Sequence, residues 1–321
     1  MSAPAARGTA APGGLIGGAP PTKTRAAVVS IVSNSSLILL KLVAGALTGS
    51  IAIITEAVHS SIDLLASVVA YVSVRKADEP ADADHPYGHE KVENLAAAIE
   101  GMLILVGAGI IVYESVRRLA DPAGIDSLGF GIGVIAFSML ANVGVSSYLY
   151  RSARATDSAA LDADAAHLRA DALTSLGVLV ALVLVEVTGV EELDAITALL
   201  VAAAIVWAGL RILNRSTRVL VDEALPEDEL AAVAAAIQEH AGSEVLGFHK
   251  LRARRAGSRR YIDLHVQFRE GTTLERAHAL SHELQADIRA RLRGADVLIH
   301  LEPEAALHRG EGGTGDPFSG G

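Results

Sequence analysis

Residues 50–67 read SIAIITEAVHSSIDLLAS, which sets Glu56, His59 and Asp63 inside a segment otherwise apolar enough to cross a bilayer. Ionisable groups at that depth cost at least a few kcal/mol each, so they are expected to face partners or a water-filled cavity. His59 and Asp63 are four residues apart and therefore share one face of a helix. The same device returns at residues 165–175, AAHLRADALTS, with His167 and Asp171. A single histidine in a membrane helix is often only an interhelical hydrogen-bonding group. Two helices that each offer an imidazole and a carboxylate at one-turn spacing can instead close a four-ligand tetrahedral site of N and O donors. Glu56, one turn before His59, reads as a supporting or gating carboxylate rather than a ligand.

The whole composition agrees with a membrane setting. Of 321 residues, 51% are hydrophobic and 20% charged, and the mean hydropathy is positive. Six apolar segments are expected to span, near residues 26–47, 51–74, 95–116, 128–150, 165–187 and 196–213. A net charge of −10 offers no basic face for a nucleic acid. The absence of cysteine excludes disulfides and thiolate metal sites, so any metal must rely on imidazole and carboxylate. Lys23, Arg25, Arg75, Lys76, Lys91, Arg151, Arg154, Arg211, Arg215 and Arg218 all fall on one side of this six-span arrangement, with Arg117 and Arg118 in dissent. Both termini are therefore expected in the cytoplasm. Residues 1–21, rich in Ala, Gly and Pro, read as a disordered tail without the apolar core of a signal peptide.

The transmembrane unit is expected over residues 22–218 and a second unit over residues 219–304, where charge rises and apolar runs shorten. Its order reads helix, strand, strand, helix, strand, a small α+β, ferredoxin-like αββαβ domain. Residues 261–268 alternate strictly, with Ile262, Leu264, Val266 and Phe268 on one face and Tyr261, Asp263, His265 and Gln267 on the other. Thr272 and Glu275 carry the spacing of a capping box ahead of the second helix. His300 and Glu302 share a face of the last strand. Residues 305–321 are Gly-rich and are read as disordered.

Taken together, the two His-x-x-x-Asp motifs and the loop DADHPYGHEKVENLAA at residues 82–97 resemble the cation diffusion facilitator family of divalent-metal/proton antiporters, from about Arg25 to Pro303. The resemblance implies that His59, Asp63, His167 and Asp171 form the intramembrane transport site. It assigns a loop site to Asp82, His85 and His89, and a binuclear cytoplasmic site to His249, His265, His278, His300 and Glu302. Lys91 and Asp222 take the positions of an ion pair that locks the membrane helices of a homodimer. Members resembling the bacterial ferrous-iron and zinc exporters have Asp where this chain has His59, and Glu302 stands where Asp is usual. Two His and two Asp are similar to the zinc-selective branches, so Zn²⁺ is the expected substrate and regulatory ligand, with iron(II), cobalt, cadmium and manganese as alternatives. His282, one turn after His278, is an additional candidate ligand.

The partners expected are thus divalent cations, protons, the lipid of an inner membrane and a second copy of the chain. Ala97 and Gly101 in span three are small enough to admit a neighbouring helix closely, a hint of that second copy. An intramembrane metalloprotease is disfavoured because HEKVE and HELQA both lack the second His of H-E-x-x-H. No G-x-x-x-x-G-K-[ST] loop is present to drive transport with ATP. A metal-sensing membrane protein that binds without transporting is the remaining rival.

Overall fold

The computed structural model describes residues 23–48, 51–120, 129–190, 192–242 and 244–304; both expected tails, and the side chains of Glu56 and His59, lie outside the described residues. Six long helices come first: α1 (Lys23–Thr48), α2 (Ile51–Ala77), α3 (Lys91–Ala120), α4 (Gly129–Thr156), α5 (Ala159–Thr188) and α6 (Glu192–Leu220). All of them except α2 contain a described stretch long and apolar enough to cross a membrane. Helix α2 is 27 residues long.

Several helices start before their apolar runs do. Helix α5 begins at Ala159, ahead of the expected span, because Ser158 caps it by accepting a hydrogen bond from the Leu161 amide. Hydropathy marks where lipid begins, whereas the cap marks where the helix begins.

The helices pack through small residues. Ala26 and Ala27 of α1, Ala70 of α2, Ala153 of α4, and Ala160 and Ala165 of α5 are buried in one cluster with Leu149, Leu161 and Leu168. A Cβ on Gly101 of α3 would lie 3.1 Å from the Leu213 amide nitrogen and 3.3 Å from the Gly209 carbonyl of α6. The small residue at 101 therefore serves α3–α6 contact within one chain, and the hint of a second copy drawn from it does not stand. Large apolar side chains point outward, among them Val32, Leu65, Val106, Leu140, Leu200 and Trp207. Outward apolar and inward small or polar residues are what a lipid solvent selects.

After α6 come α7 (Glu227–His240), β1 (Val245–Ala256), β2 (Arg259–Phe268), α8 (Leu274–Arg291) and β3 (Ala295–Pro303). The sheet runs β1-β2-β3, with β1 antiparallel to β2 and β2 parallel to β3. Ile262, Leu264 and Val266 of β2 and Val297 of β3 face Val233 and Ile237 of α7 and Leu280, Leu284 and Ile288 of α8 in one closed core. The other face of the sheet is covered by neither α7 nor α8. Thr273, not Thr272, caps α8: its side chain accepts from the Arg276 amide, while the Thr272 amide is engaged with the Arg269 carbonyl.

Glu229, in the first turn of α7, ties that helix to the sheet. It accepts from Arg260 Nε at 2.9 Å and Arg260 Nη2 at 2.8 Å, and from Arg255 Nη2 at 2.9 Å. The Arg260 hydrogen bonds, aided by Arg255, hold its carboxyl below the usual range despite its burial. A lowered folded pKa gives stability that is complete above the unfolded value of about 4.3 and is lost as pH falls through the folded one. Glu229→Gln is expected to lower the stability of the isolated segment 222–304 by about 1–3 kcal/mol at pH 7, and to remove that part of its acid sensitivity. Urea unfolding from pH 7 down to pH 3 checks both.

Candidate metal sites

Helices α2 and α5 bring the first set of expected ligands together. His167 Nε2 lies 3.2 Å from Asp63 Oδ1, and Asp63, His167 and Asp171 each present a donor atom within 4.8 Å of the others. Asp63 is 8% and His167 6% exposed, so these groups sit inside the bundle rather than against lipid. His59 lies on α2 one turn before Asp63, the helical stagger that the sequence required.

Further polar groups are buried near this site and along the bundle, among them Asn34, which its sequence setting marks as a hydrogen-bonding residue. Lys41 of α1, itself buried, donates to Ser60 Oγ at 2.7 Å, next in sequence to His59. One turn toward the other end of α2, Ser67 donates to Asp164 Oδ1 at 3.1 Å and accepts from Asn34 Nδ2 at 2.8 Å. Ser30 lies 3.0 Å from the same Ser67 hydroxyl. Glu100 of α3 is fully buried, and neither of its carboxyl oxygens has a hydrogen-bond partner among the described residues. Lys23 donates to Glu93 at 2.8 Å, and the Ser158 hydroxyl donates to the same carboxylate at 2.5 Å. These residues lie in or at the ends of apolar runs, where polarity is the only cue, and their partners are distant in sequence.

The loop between α2 and α3 gathers the second set. Asp82 Oδ1 accepts from the His85 amide at 2.6 Å and the Asp84 amide at 3.0 Å, and lies 3.2 Å from His85 Nδ1. His89 Nε2 is 3.3 Å from Asp82 Oδ2, and the two imidazole centroids are 4.4 Å apart. Gly88 makes the bend at φ +90°, which an L side chain rarely adopts. The His85 amide, followed by its ring, holds the Asp82 carboxyl below the ordinary range, so it stays an anion ready to accept a cation.

In the cytoplasmic domain the third set forms a row on the face of the sheet away from α7 and α8. His249 of β1 pairs with His265 of β2, which pairs with His300 of β3. Lys250 at φ +50° stands in the register shift between His249 and Arg252. Glu302 joins the row: its Oε2 is 2.7 Å from His249 Nε2 and its Oε1 is 2.6 Å from His265 Nδ1. His300 Nε2 is 3.9 Å from Glu302 Oε1. Burial raises the Glu302 pKa, but the bonds to His265 and His249 outweigh it and leave the carboxyl below its usual range. The longer arm of Glu302 therefore reaches both imidazoles. His278 does not join the row within one chain: it lies on α8, which covers the opposite face, and its neighbour is His282.

Lys91 and Asp222 also meet, at 2.6 Å, within one chain. Arg254 of β1, unforeseen from the sequence, grips both oxygens of Asp222 at 3.0 Å. The hydrogen bond from Lys91, then that from Arg254, hold the Asp222 carboxyl below its ordinary value. The Arg254 guanidinium also lies over the rings of Tyr87 and Tyr261, 5.4 and 5.3 Å from their centroids. Tyr261 Oη donates to the Tyr87 carbonyl at 2.6 Å, and Arg259 meets Glu90 at 2.6 Å. The loop that holds His85 and His89 is thereby bound to the cytoplasmic domain through Tyr87, which lies between them.

A helical membrane bundle with a buried imidazole–carboxylate cluster, joined to an αββαβ domain with a second such cluster, defines a membrane protein equipped to hold cations. Residues 27–221 match the family description "Cation efflux transmembrane domain" and residues 225–304 match "Cation efflux protein, cytoplasmic domain". The chain belongs to the cation efflux family, and it is a membrane-embedded transporter rather than an enzyme. It is 36% identical over 277 residues to an uncharacterized transporter of Synechocystis sp., covering 86% of this chain and 89% of that one. It is 33% identical over 288 residues to the cation-efflux pump FieF of Serratia proteamaculans, covering 90% and 95%. Among solved structures, the zinc form of CzrB, described as a candidate zinc transporter, is 37% identical over 26% of this chain and 94% of its own, with a TM-score of 0.25. A C-terminal domain of MamM is 24% identical over 24% of this chain and 95% of its own, with a TM-score of 0.22.

Because Glu302 contacts both His249 and His265, Glu302→Ala is expected to weaken zinc binding at the sheet by at least about ten-fold. Thermal melting of segment 222–304 should then lose its zinc-dependent rise. An unchanged rise would remove Glu302 from the site.

Proposed function

We propose that the chain exports a divalent metal, Zn²⁺ foremost, from the cytoplasm in exchange for protons, working as a homodimer in an inner membrane with both termini in the cytoplasm. The observation that carries this reading is the approach of Asp63, His167 and Asp171 within 4.8 Å in the interior of the bundle. His59 completes the set as its fourth donor. Nitrogen and carboxylate oxygen donors in a tetrahedral arrangement suit Zn²⁺, while iron(II), cobalt, cadmium and manganese compete for the same donors.

Exchange follows from the donors' acid–base chemistry. A metal binds neutral imidazole and ionised carboxylate, so loading from the cytoplasm expels protons and protonation from the other side favours release. Imidazole, with an ordinary pKa of about 6.5, is the natural carrier of that coupling. Alternating access moves the same site between the two sides. Asp82, His85 and His89 hold metal at the cytoplasmic entrance. In the cytoplasmic domain, metal at His249, His265, His278, His300 and Glu302 bridges two copies of the chain, stabilises the homodimer and biases the spans, increasingly so as the free metal concentration rises. Lys91 and Asp222, braced by Arg254, keep the membrane helices locked to that domain. Glu56 acts as a supporting carboxylate beside His59.

In reconstituted vesicles with an imposed pH gradient, Asp63→Ala and His167→Ala are each expected to reduce zinc uptake by at least about ten-fold. Competition with Fe²⁺, Mn²⁺, Co²⁺ and Cd²⁺ in the same assay ranks the substrates. Parental flux in either variant refutes the four-ligand site; binding without any flux in the parental protein favours the metal-sensing rival.

A further inference from the structure

Arg169 stands where a membrane helix rarely tolerates a charge. It lies ten residues into α5, about 15 Å along the axis, and is exposed while His167 and Leu168 beside it are buried. The same stripe of α5 carries Leu176, Val180 and Val183, all exposed, so this is the face turned to lipid. Helix α4 presents a matching stripe of exposed Phe137, Leu140 and Val143, which leads to Tyr150 and the exposed Arg154. The two arginines meet at one ring: the guanidinium carbon of Arg169 is 4.4 Å and that of Arg154 5.8 Å from the Tyr150 centroid. Helical side chains lean toward the N-terminus, which for Arg169 is the side of the turn between α4 and α5. That turn lies against the cytoplasmic domain, where Arg260 meets Asp157 at 3.6 Å. Both cations therefore end on the cytoplasmic-domain side of the lipid-facing surface.

We infer that Arg154 and Arg169 bind the phosphate of an anionic phospholipid whose acyl chains lie along the apolar stripes of α4 and α5. The protein itself neutralises neither cation. Arg215 and Arg218 at the end of α6 each meet a carboxylate, whereas among the described residues Arg154 and Arg169 have the Tyr150 ring and no acidic partner. A ring face attracts a guanidinium without cancelling its charge. Planar guanidinium donors match phosphate oxygens bidentately, and a juxtamembrane pair of them draws negative lipid. A free phosphate would satisfy the cations but make no use of the apolar stripes that lead to them. A zwitterionic headgroup brings a cation of its own, with no carboxylate paired here to receive it. Arg169 is two residues from both His167 and Asp171, which places it on the opposite side of the helix. The lipid thus braces the outer face of the helix whose inner face carries those two residues.

Native mass spectrometry of the full-length protein in detergent tests it, with dioleoylphosphatidylglycerol and dioleoylphosphatidylcholine titrated separately and inorganic phosphate added as a competitor. Arg154→Gln and Arg169→Gln are compared with Arg211→Gln, which removes a guanidinium held 5.5 Å from the Trp207 centroid on α6. Circular dichroism checks helix content, and should one variant lose it the other carries the test. The expected result is that phosphatidylglycerol binds at least about ten-fold more tightly than phosphatidylcholine, that Arg154→Gln and Arg169→Gln each abolish this preference, and that Arg211→Gln keeps it. Equal binding of the two lipids by the parental protein, or the preference surviving in Arg154→Gln and Arg169→Gln, overturns the site. So does an equal loss in Arg211→Gln, which marks general attraction to basic residues, or displacement of the lipid by an equal concentration of inorganic phosphate.

Discussion

An imidazole and two carboxylates cannot sit unsatisfied in the middle of a bilayer, and the arrangement of the membrane domain answers to that constraint. Asp63, His167 and Asp171 are shielded from lipid by α2 and α5 themselves and by the helices around them. The cost of bringing them there, at least a few kcal/mol for each ionised group, is offset by mutual hydrogen bonding or by a cation placed among them. Neighbouring polar residues extend the same solution along the bundle: Lys41 on Ser60 at one level, and Ser30, Asn34, Ser67 and Asp164 at the next. Small residues such as Ala27 of α1, Ala70 of α2 and Ala165 of α5 let these helices approach closely enough for short side chains to reach across.

The cytoplasmic domain is held to the bundle by contacts of a different kind. Asp222, at φ +61° just after α6, takes Lys91 from the start of α3 and Arg254 from β1. Arg254 in turn stacks on Tyr87, which lies between the two loop histidines, and Tyr261 closes the contact from β2. On the proposed mechanism, a metal at Asp82, His85 and His89 stiffens the segment that the cytoplasmic domain grips. Exposed ion pairs contribute little singly; here they share partners with aromatic rings, so a shift in one displaces the others.

Much of this is legible in the sequence because its cues are local. A charge within an apolar run, a repeated four-residue spacing and a strict two-residue alternation each determine a face without knowledge of the rest of the chain, which is why Asp63 and His167 stand out as candidate ligands; the alternation places His265 on the polar face of its strand, and only the family resemblance marks it and Glu302 as site residues. What escapes depends on contacts between distant segments. Arg254 is one of several arginines in residues 252–260, and nothing local marks it as the partner of Asp222. Glu100 and Asp164 carry no motif, and their burial follows only from how α3 and α5 meet. Resemblance groups His278 with the sheet histidines, yet the periodicity of α8, with Ala277 and Leu280 facing inward, turns it away from them in a single chain. Gly101, by its size alone, suggests a face for another chain, when its neighbour is α6.

The claim beneath all of this is that α2 and α5 hold one ion with nitrogen and carboxylate oxygen from the protein. X-ray absorption at the zinc edge addresses it directly, using full-length protein whose loop, sheet and α8 histidines have been replaced so that only the intramembrane site can load. The account predicts a four-coordinate spectrum with short N/O distances of about 2.0–2.1 Å and the multiple scattering of two imidazoles. A six-coordinate, water-like spectrum without imidazole scattering would contradict it.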